Sequence, residues 1–407
     1  MTAVLAAAGP ALRAQDPAPA VAPDPATRAA EWDSRRAKKA EDLRPPERSG
    51  LEKFLYDFRE KRVMERLAEG WHHTYPKFGG LQTGSGFTMG AEYRRERMWE
   101  GVLDVRATAL GSIRRYEKYE LQIGMPRLLH EHAFLDFTTG YRNLPQEDYW
   151  GVGPRTRKQD RTNFRLEDMS YIGAAGVRPW KKLVVGVRGG IIDLNVGPGT
   201  DSRYTSTEKV FNDQNSPGLT HQPYYYLLGA FTRLDYRDQP GNPRSGGNYL
   251  LEYNYYGDRT NGLYSFRRYG AEFQQYVPFF NRRRTLAFRA RASLTDTSPA
   301  NTVPFFMLET LGGSEDLRGF REFRFRDKNQ MVYNLEYRWE AFSGLDMALF
   351  GDAGKVFANR SDFNLSNLEG AYGIGLRFNT EQAVFLRIDV AKSHEGVRFF
   401  FKFGHVF

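Results

Sequence analysis

The sequence predicts an all-β protein, a 16-stranded antiparallel transmembrane β-barrel preceded by a short N-terminal helix. Three observations carry that prediction. From Trp71 onward, apolar and aromatic residues recur at every second position in runs of about ten residues, the length a tilted strand needs to cross a bilayer. The chain holds 23 Tyr and 30 Phe and yet has a mean hydropathy of −0.60. Aromatic excess in a polar chain suits a closed wall in which only alternate side chains meet lipid. Finally, the connections between runs alternate between tight and long, so the long ones all leave from one end.

Taken in order, residues 1–14 (MTAVLAAAGPALRA) read as the remnant of an export signal, an apolar stretch of small residues ending at a cleavage point near Leu12-Arg13-Ala14. It lacks a basic leading region, so the start reads as truncated or mis-assigned. Residues 15–49 are rich in Pro, Ala and mixed charge, too poor in apolar side chains to fold alone, and read as a tether. Over 51–69 the spacing becomes helical: Leu51, Phe54, Leu55, Phe58, Val63 and Leu67 share a face, with Glu, Lys and Arg opposite. Residues 15–70 are therefore a periplasmic tether and amphipathic helix, and 71–407 the barrel.

Within the barrel the alternation places strands near 71–79, 85–95, 101–110, 115–125, 131–142, 164–177, 182–194, 222–236, 246–257, 264–278, 283–296, 331–341, 346–357, 369–379, 383–392 and 397–407. In the last, Val397, Phe399, Phe401 and Phe403 alternate with Arg398, Phe400, Lys402 and Gly404. Tyr249, Leu251, Tyr253 and Tyr255 form a similar face, as do Val384, Leu386, Ile388 and Val390 against Arg387 and Asp389. The first run, WHHTYPKFG, alternates poorly. It is counted because an even number of strands returns both ends of the barrel to the periplasm. The connections at 96–100, 178–181, 279–282, 342–345 and 380–382 are tight, whereas 143–163, 195–221, 297–330 and 358–368 are long and polar.

Composition excludes several other classes. The absence of cysteine removes disulfide scaffolds, thiolate metal sites and a cysteine nucleophile, and the lack of any apolar run of about 18 residues excludes a helical membrane protein. The net charge of +9 is scattered over strand faces (Arg289, Arg291, Arg387, Arg398, Lys402), which describes a basic lumen wall and not a nucleic-acid surface. His130-Glu131-His132 and His72-His73 fall short of the three or four converging ligands a zinc site needs, so no metal or cofactor is expected. No GxSxG nucleophile motif occurs, and no enzyme is expected.

The chemistry-bearing segments cluster near the C-terminus. The longest loop contains Pro304-Phe305-Phe306 and then Gly312-Gly313-Ser314-Glu315-Asp316-Leu317-Arg318-Gly319-Phe320. By alternation Met331, Tyr333, Leu335, Tyr337 and Trp339 face lipid, leaving Asn334, Glu336 and Arg338 to the lumen. On the next run Phe350, Asp352 and Gly354 share one side. With Leu317, Arg318, Gly319 and Phe320 as a GG…LRGF lid-loop motif, Glu336 on the following strand and Phe350-Gly351-Asp352-Ala353-Gly354 as an FxDxG signature, the sequence resembles the BamA/TamA-like outer-membrane assembly superfamily. The resemblance covers about 71–407, most strongly 297–407.

That resemblance puts Asp352 on the lumen side and implies that the loop folds back into the barrel, where Arg318 pairs with Asp352 and Glu336. A planar guanidinium suits carboxylates in a way that Lys does not. It also implies that Gly404 and Phe407 belong to a C-terminal barrel recognition signal, and that the last strand pairs weakly with the first. Tyr149-Trp150-Gly151-Val152-Gly153-Pro154 and Asp238-Gln239-Pro240-Gly241-Asn242-Pro243 resemble family connections too, though ordinary turn chemistry accounts for either. Residues 15–70 are too short and unpatterned for a periplasmic POTRA domain.

The implied setting is the bacterial outer membrane with a periplasmic N-terminus. The implied partners are outer-membrane lipid and lipopolysaccharide, a protein client or envelope partner, and the barrel assembly machinery for the chain's own insertion. Function divides between insertion, translocation or display of partner proteins and a passive plugged barrel in an envelope complex.

Overall fold

Sixteen strands join edge to edge in sequence order, each antiparallel to the next, in one sheet. The structure, a computed structural model, describes residues 28–42, 71–79, 81, 84–380 and 383–403. The export-signal remnant 1–14, the helix predicted over 51–69 and the terminal Gly404 and Phe407 lie outside the described residues.

The strands are β1 (Thr74–Phe78), β2 (Thr88–Arg97), β3 (Leu103–Ser112), β4 (Glu117–Leu128), β5 (Ala133–Tyr149), β6 (Thr162–Trp180), β7 (Leu183–Pro198), β8 (Tyr224–Asp235), β9 (Gly246–Asp258), β10 (Phe266–Phe279) and β11 (Arg284–Thr297). Then come β12 (Glu309–Leu311) and β13 (Phe325–Asp327), followed by β14 (Asn329–Phe342), β15 (Leu345–Phe357), β16 (Glu369–Asn379), β17 (Val384–Ser393) and β18 (Gly396–Phe403). Strands β12 and β13 pair only with each other, as a small hairpin inside the loop between β11 and β14.

The alternation sorts the side chains as the sequence predicts. On β18, Phe399 is 67% and Phe401 69% exposed, whereas the intervening Phe400 is buried. Arg387 and Asp389 of β17 are fully buried on the opposite side from Ile388. In lipid the exposed aromatic rows are the favourable surface, and pairing of each strand with its neighbours satisfies the backbone groups that lipid cannot. Met331 departs from the pattern. Its position in the alternation is outward, yet it is 2% exposed.

Two further differences concern the N-terminal side. The sequence reading assigns 15–49 to a tether, but α1 (Arg28–Asp42) forms within it. This stretch has no Gly or Pro, is rich in Ala, and carries a Glu31–Arg35 pair at helical spacing with N···O 3.1 Å. Strand β1 is shorter than predicted, because His72 and His73 adopt left-handed backbone conformations just ahead of it. Among the described residues no backbone ladder joins β1 to β18. The Phe403 ring of β18 lies against the backbone of Gly79, just past β1, where an added Cβ would fall 3.0 Å from it.

Candidate functional site

The loop from 298 to 328 turns inward and brings the LRGF motif against the wall formed by β14 to β17. Leu317, Arg318 and Phe320 have no exposed surface. Leu317 and Phe320 pack with Leu311, Phe325, Val332, Val356 and Ala371. This apolar patch gives the loop a reason to fold back, and it strips water from the guanidinium between its two apolar neighbours.

Arg318 makes the contacts a buried guanidinium requires. Its Nε donates to Asp352 Oδ2 at 2.7 Å and its Nη2 to Asp352 Oδ1 at 2.7 Å, a two-pronged pairing reinforced by the Arg318 backbone N–H at 3.1 Å. Its Nη1 donates to Glu336 Oε1 and lies 3.9 Å from Asp389 Oδ2. The face of the guanidinium sits 3.5 Å from the centroid of the Phe350 ring. The structure thus places Arg318, Glu336, Phe350 and Asp352 in one fully dehydrated cluster.

The two glycines of the motifs have steric reasons. Gly319 has φ +114°, a region that disfavours side chains, and a Cβ there would fall 2.9 Å from the Ala371 Cβ. A Cβ at Gly354 would fall 2.7 Å from the Met331 carbonyl oxygen and 3.3 Å from Leu311, so the strand must be bare where the loop hairpin presses on it.

Other members of the cluster escape the motif reading. Arg377 donates to Glu336 at 3.0 Å and to Asp389 at 2.5 Å, Arg338 donates to Glu336 at 2.7 Å, and Arg387 lies 3.1 Å from Asp389 while donating to the Ser314 carbonyl at 2.8 Å. Four guanidinium groups and three carboxylates therefore interleave under the lid. The usable signal was the shared inward face of Arg377, Arg387 and Asp389 at matching depth.

The outer turn between β17 and β18 clasps the same loop: Ser393 donates to the Gly319 carbonyl at 2.7 Å, and Glu395 accepts from Arg324 at 2.7 Å. Lys402 reaches Glu315 at 2.6 Å from below, while Arg289 holds the Glu315 carbonyl at 2.9 Å.

The flanking loops close both ends. Gly153 N–H donates to the Arg326 carbonyl at 2.6 Å, and Arg324 donates to Thr156 Oγ1 at 2.7 Å, so the outer loop after β5 pins the lid. Phe305 of the Pro304-Phe305-Phe306 segment lies between Tyr149 (4.8 Å) and Phe164 (4.9 Å), inside an aromatic cap over the outer end. At the periplasmic end the turn 236–245 reaches across: Arg244 pairs with Asp346 of β15 at 2.8 Å, and the Gly241 carbonyl accepts from Val384 of β17 at 3.0 Å. Burial pushes the Asp238 carboxyl in that turn up, but backbone N–H donors from Arg244, Ser245 and Gln239 outweigh it and hold the group below the usual aspartate value.

Among the described residues no three His, Cys, Asp or Glu side chains converge as metal ligands.

Fold and site define a class, a 16-stranded outer-membrane barrel whose lumen is occupied by a folded-back loop held through arginine. The family model for the Omp85 superfamily domain matches residues 204–407, half of the chain, and the chain belongs to that superfamily. These barrels are outer-membrane assembly and translocation factors, not catalysts.

Among solved structures the chain is similar to BamA from Haemophilus ducreyi lacking POTRA domains 1-3, at 16% identity and TM-score 0.59, covering 82% of this chain and 70% of that one. It is also similar to CdiB from Escherichia coli, at 11% identity and TM-score 0.53, covering 81% of this chain and 61% of that one. At these identities the likeness is one of fold. No curated protein matches the sequence.

Proposed function

We propose that this chain assists the insertion, translocation or surface display of partner proteins at the outer membrane, with the inserted loop as the element that keeps the lumen closed. The observation that carries this reading is the placement of the lid. It is anchored by Asp389, Ser393, Glu395 and Lys402 to the β17–β18 hairpin, and that hairpin borders the edge where no ladder joins β1 among the described residues. A partner that engages this edge bears directly on the lid. In this reading Arg318, Glu336 and Asp352 are a structural lock, with Leu317, Gly319 and Phe320 fitting the lock to its seat.

The test is reconstitution of the full chain in liposomes with an unfolded outer-membrane barrel as client. Faster client folding than in protein-free liposomes is the expected result. A passive plugged barrel is the second reading, favoured by the aromatic cap above and the 236–245 turn below. It predicts unchanged client folding together with no ion conductance.

A further inference from the structure

The outer end of the lid brings together three arginines that the lock does not use. With Gly84, Tyr116 and Phe400 they line a cavity of about 200 Å³. Arg114 comes from the β3–β4 turn, Arg321 from the lid just past the LRGF motif, and Arg398 from the inward face of β18. The cavity therefore lies where the first strands, the last strand and the lid meet, at the outer end of the edge that no ladder joins among the described residues.

The acids around the cavity are engaged elsewhere. Asp148 holds Arg161 at 2.7 Å, and Asp201 holds Arg203 at 2.7 Å. The Glu322 carboxylate lies over the backbone of Gly313, where an added Cβ would collide with it. What remains on the lining is an excess of positive charge. Arg114 donates to the Gly84 carbonyl at 2.7 Å, a neutral partner that leaves its charge in place. Neither Arg321 nor Arg398 forms an ion pair among the described residues, and the Nε of Arg398 is buried without a hydrogen-bond partner.

Like charges gathered in a partly dehydrated cavity repel one another, and a buried N–H donor without an acceptor is costly. One anion relieves both. The three guanidinium groups approach from three separate elements, which suits a tetrahedral oxyanion that offers an oxygen to each. A planar carboxylate, with two oxygens on one side, matches a single guanidinium fork instead.

We propose that this cavity binds a phosphate group, free or carried on an outer-leaflet lipid, and that the bound group bridges the lid to both edges of the sheet. Through one ligand Arg321 of the lid is tied to Arg398 on the last strand and to Arg114 beside the first strands. The ligand thus holds the lid seated and the two edges together, a control separate from the Arg318 lock.

The test uses the purified full chain in detergent, and reads binding by isothermal titration and lid seating by the cleavage rate within 298–328. Inorganic phosphate is expected to bind and, at about ten times its Kd, to slow cleavage about tenfold relative to chloride at equal ionic strength. Arg321→Gln with Arg398→Gln should abolish both effects, whereas Arg321→Lys with Arg398→Lys should retain binding, which separates loss of charge from loss of fold. Lipid A and lipid A stripped of its phosphates distinguish the sources: binding of inorganic phosphate supports the free group, and binding of intact lipid A alone supports the lipid-borne one. The proposal is overturned if neither inorganic phosphate nor lipid A binds, or if the stripped lipid binds as tightly as the intact one. It is overturned equally if acetate protects the lid as well as phosphate does, if binding leaves the cleavage rate unchanged, or if the double Gln variant keeps full affinity.

Discussion

Two walls of one barrel, built from the same alternating pattern, treat their inward charges differently. On the β14–β17 side, Glu336, Asp352 and Asp389 are buried under the lid and held by the buried guanidinium groups of Arg318 and Arg377. On the β2–β5 side, Arg94, Arg106 and Arg142 also point into the lumen and face the buried Glu92 or Asp168, but the arginine side chains are themselves 43%, 44% and 51% exposed. The ion pairs look alike on paper. What separates them is whether a second layer of protein removes water: a dehydrated charge that loses its partner is stranded, whereas a hydrated one is resolvated.

The largest expected effect lies on the covered wall. Arg318→Ala leaves Asp352 without its two-pronged donor and should destabilise the barrel by roughly 3 to 5 kcal/mol, read from the unfolding midpoint in detergent. Next comes Gly319→Ala. The left-handed backbone and the Ala371 contact should cost about 2 kcal/mol, with the lid shifted and the remote wall unchanged. On the open wall Asp168→Ala should cost under about 1 kcal/mol despite a 2.9 Å pair with Arg142, because the half-exposed guanidinium is resolvated, and an equal loss at Asp168 and Arg318 would erase the distinction between the walls.

The smallest effect concerns the outer loop between β7 and β8. Burial raises the Asp213 carboxyl, but the Thr220 hydroxyl and the backbone N–H groups of Thr220, Gly218 and Leu219 lower it further, to a net value below that of an ordinary aspartate. A depressed folded value means that the contribution is fully present above the ordinary aspartate range and is lost as pH falls through the folded value. Asp213→Asn should therefore lower stability slightly at neutral pH and flatten the acid limb of the stability profile below about pH 4, where the two proteins converge.

Much of this was legible from residues alone. Alternation marks the strands because every turn of the pleat tests the same rule, inward or outward. It fails where a segment is too short to repeat, as in the three-residue strands β12 and β13, and where local pairing supports a helix in polar sequence, as in α1. The LRGF loop, Glu336 and Asp352 could be named because their motifs are local. Arg377, Arg387 and Asp389 could not be assigned partners, since their meeting depends on strand register and on how deep the loop descends.

The lock itself is best tested by limited proteolysis of Arg318→Lys beside the unaltered protein. Lysine keeps the charge but cannot span both Asp352 oxygens while reaching Glu336. Faster cleavage within 298–328, with the strands still protected, is the result expected if the guanidinium fork holds the loop in place. An identical cleavage pattern and rate would mean that the loop stays seated without it.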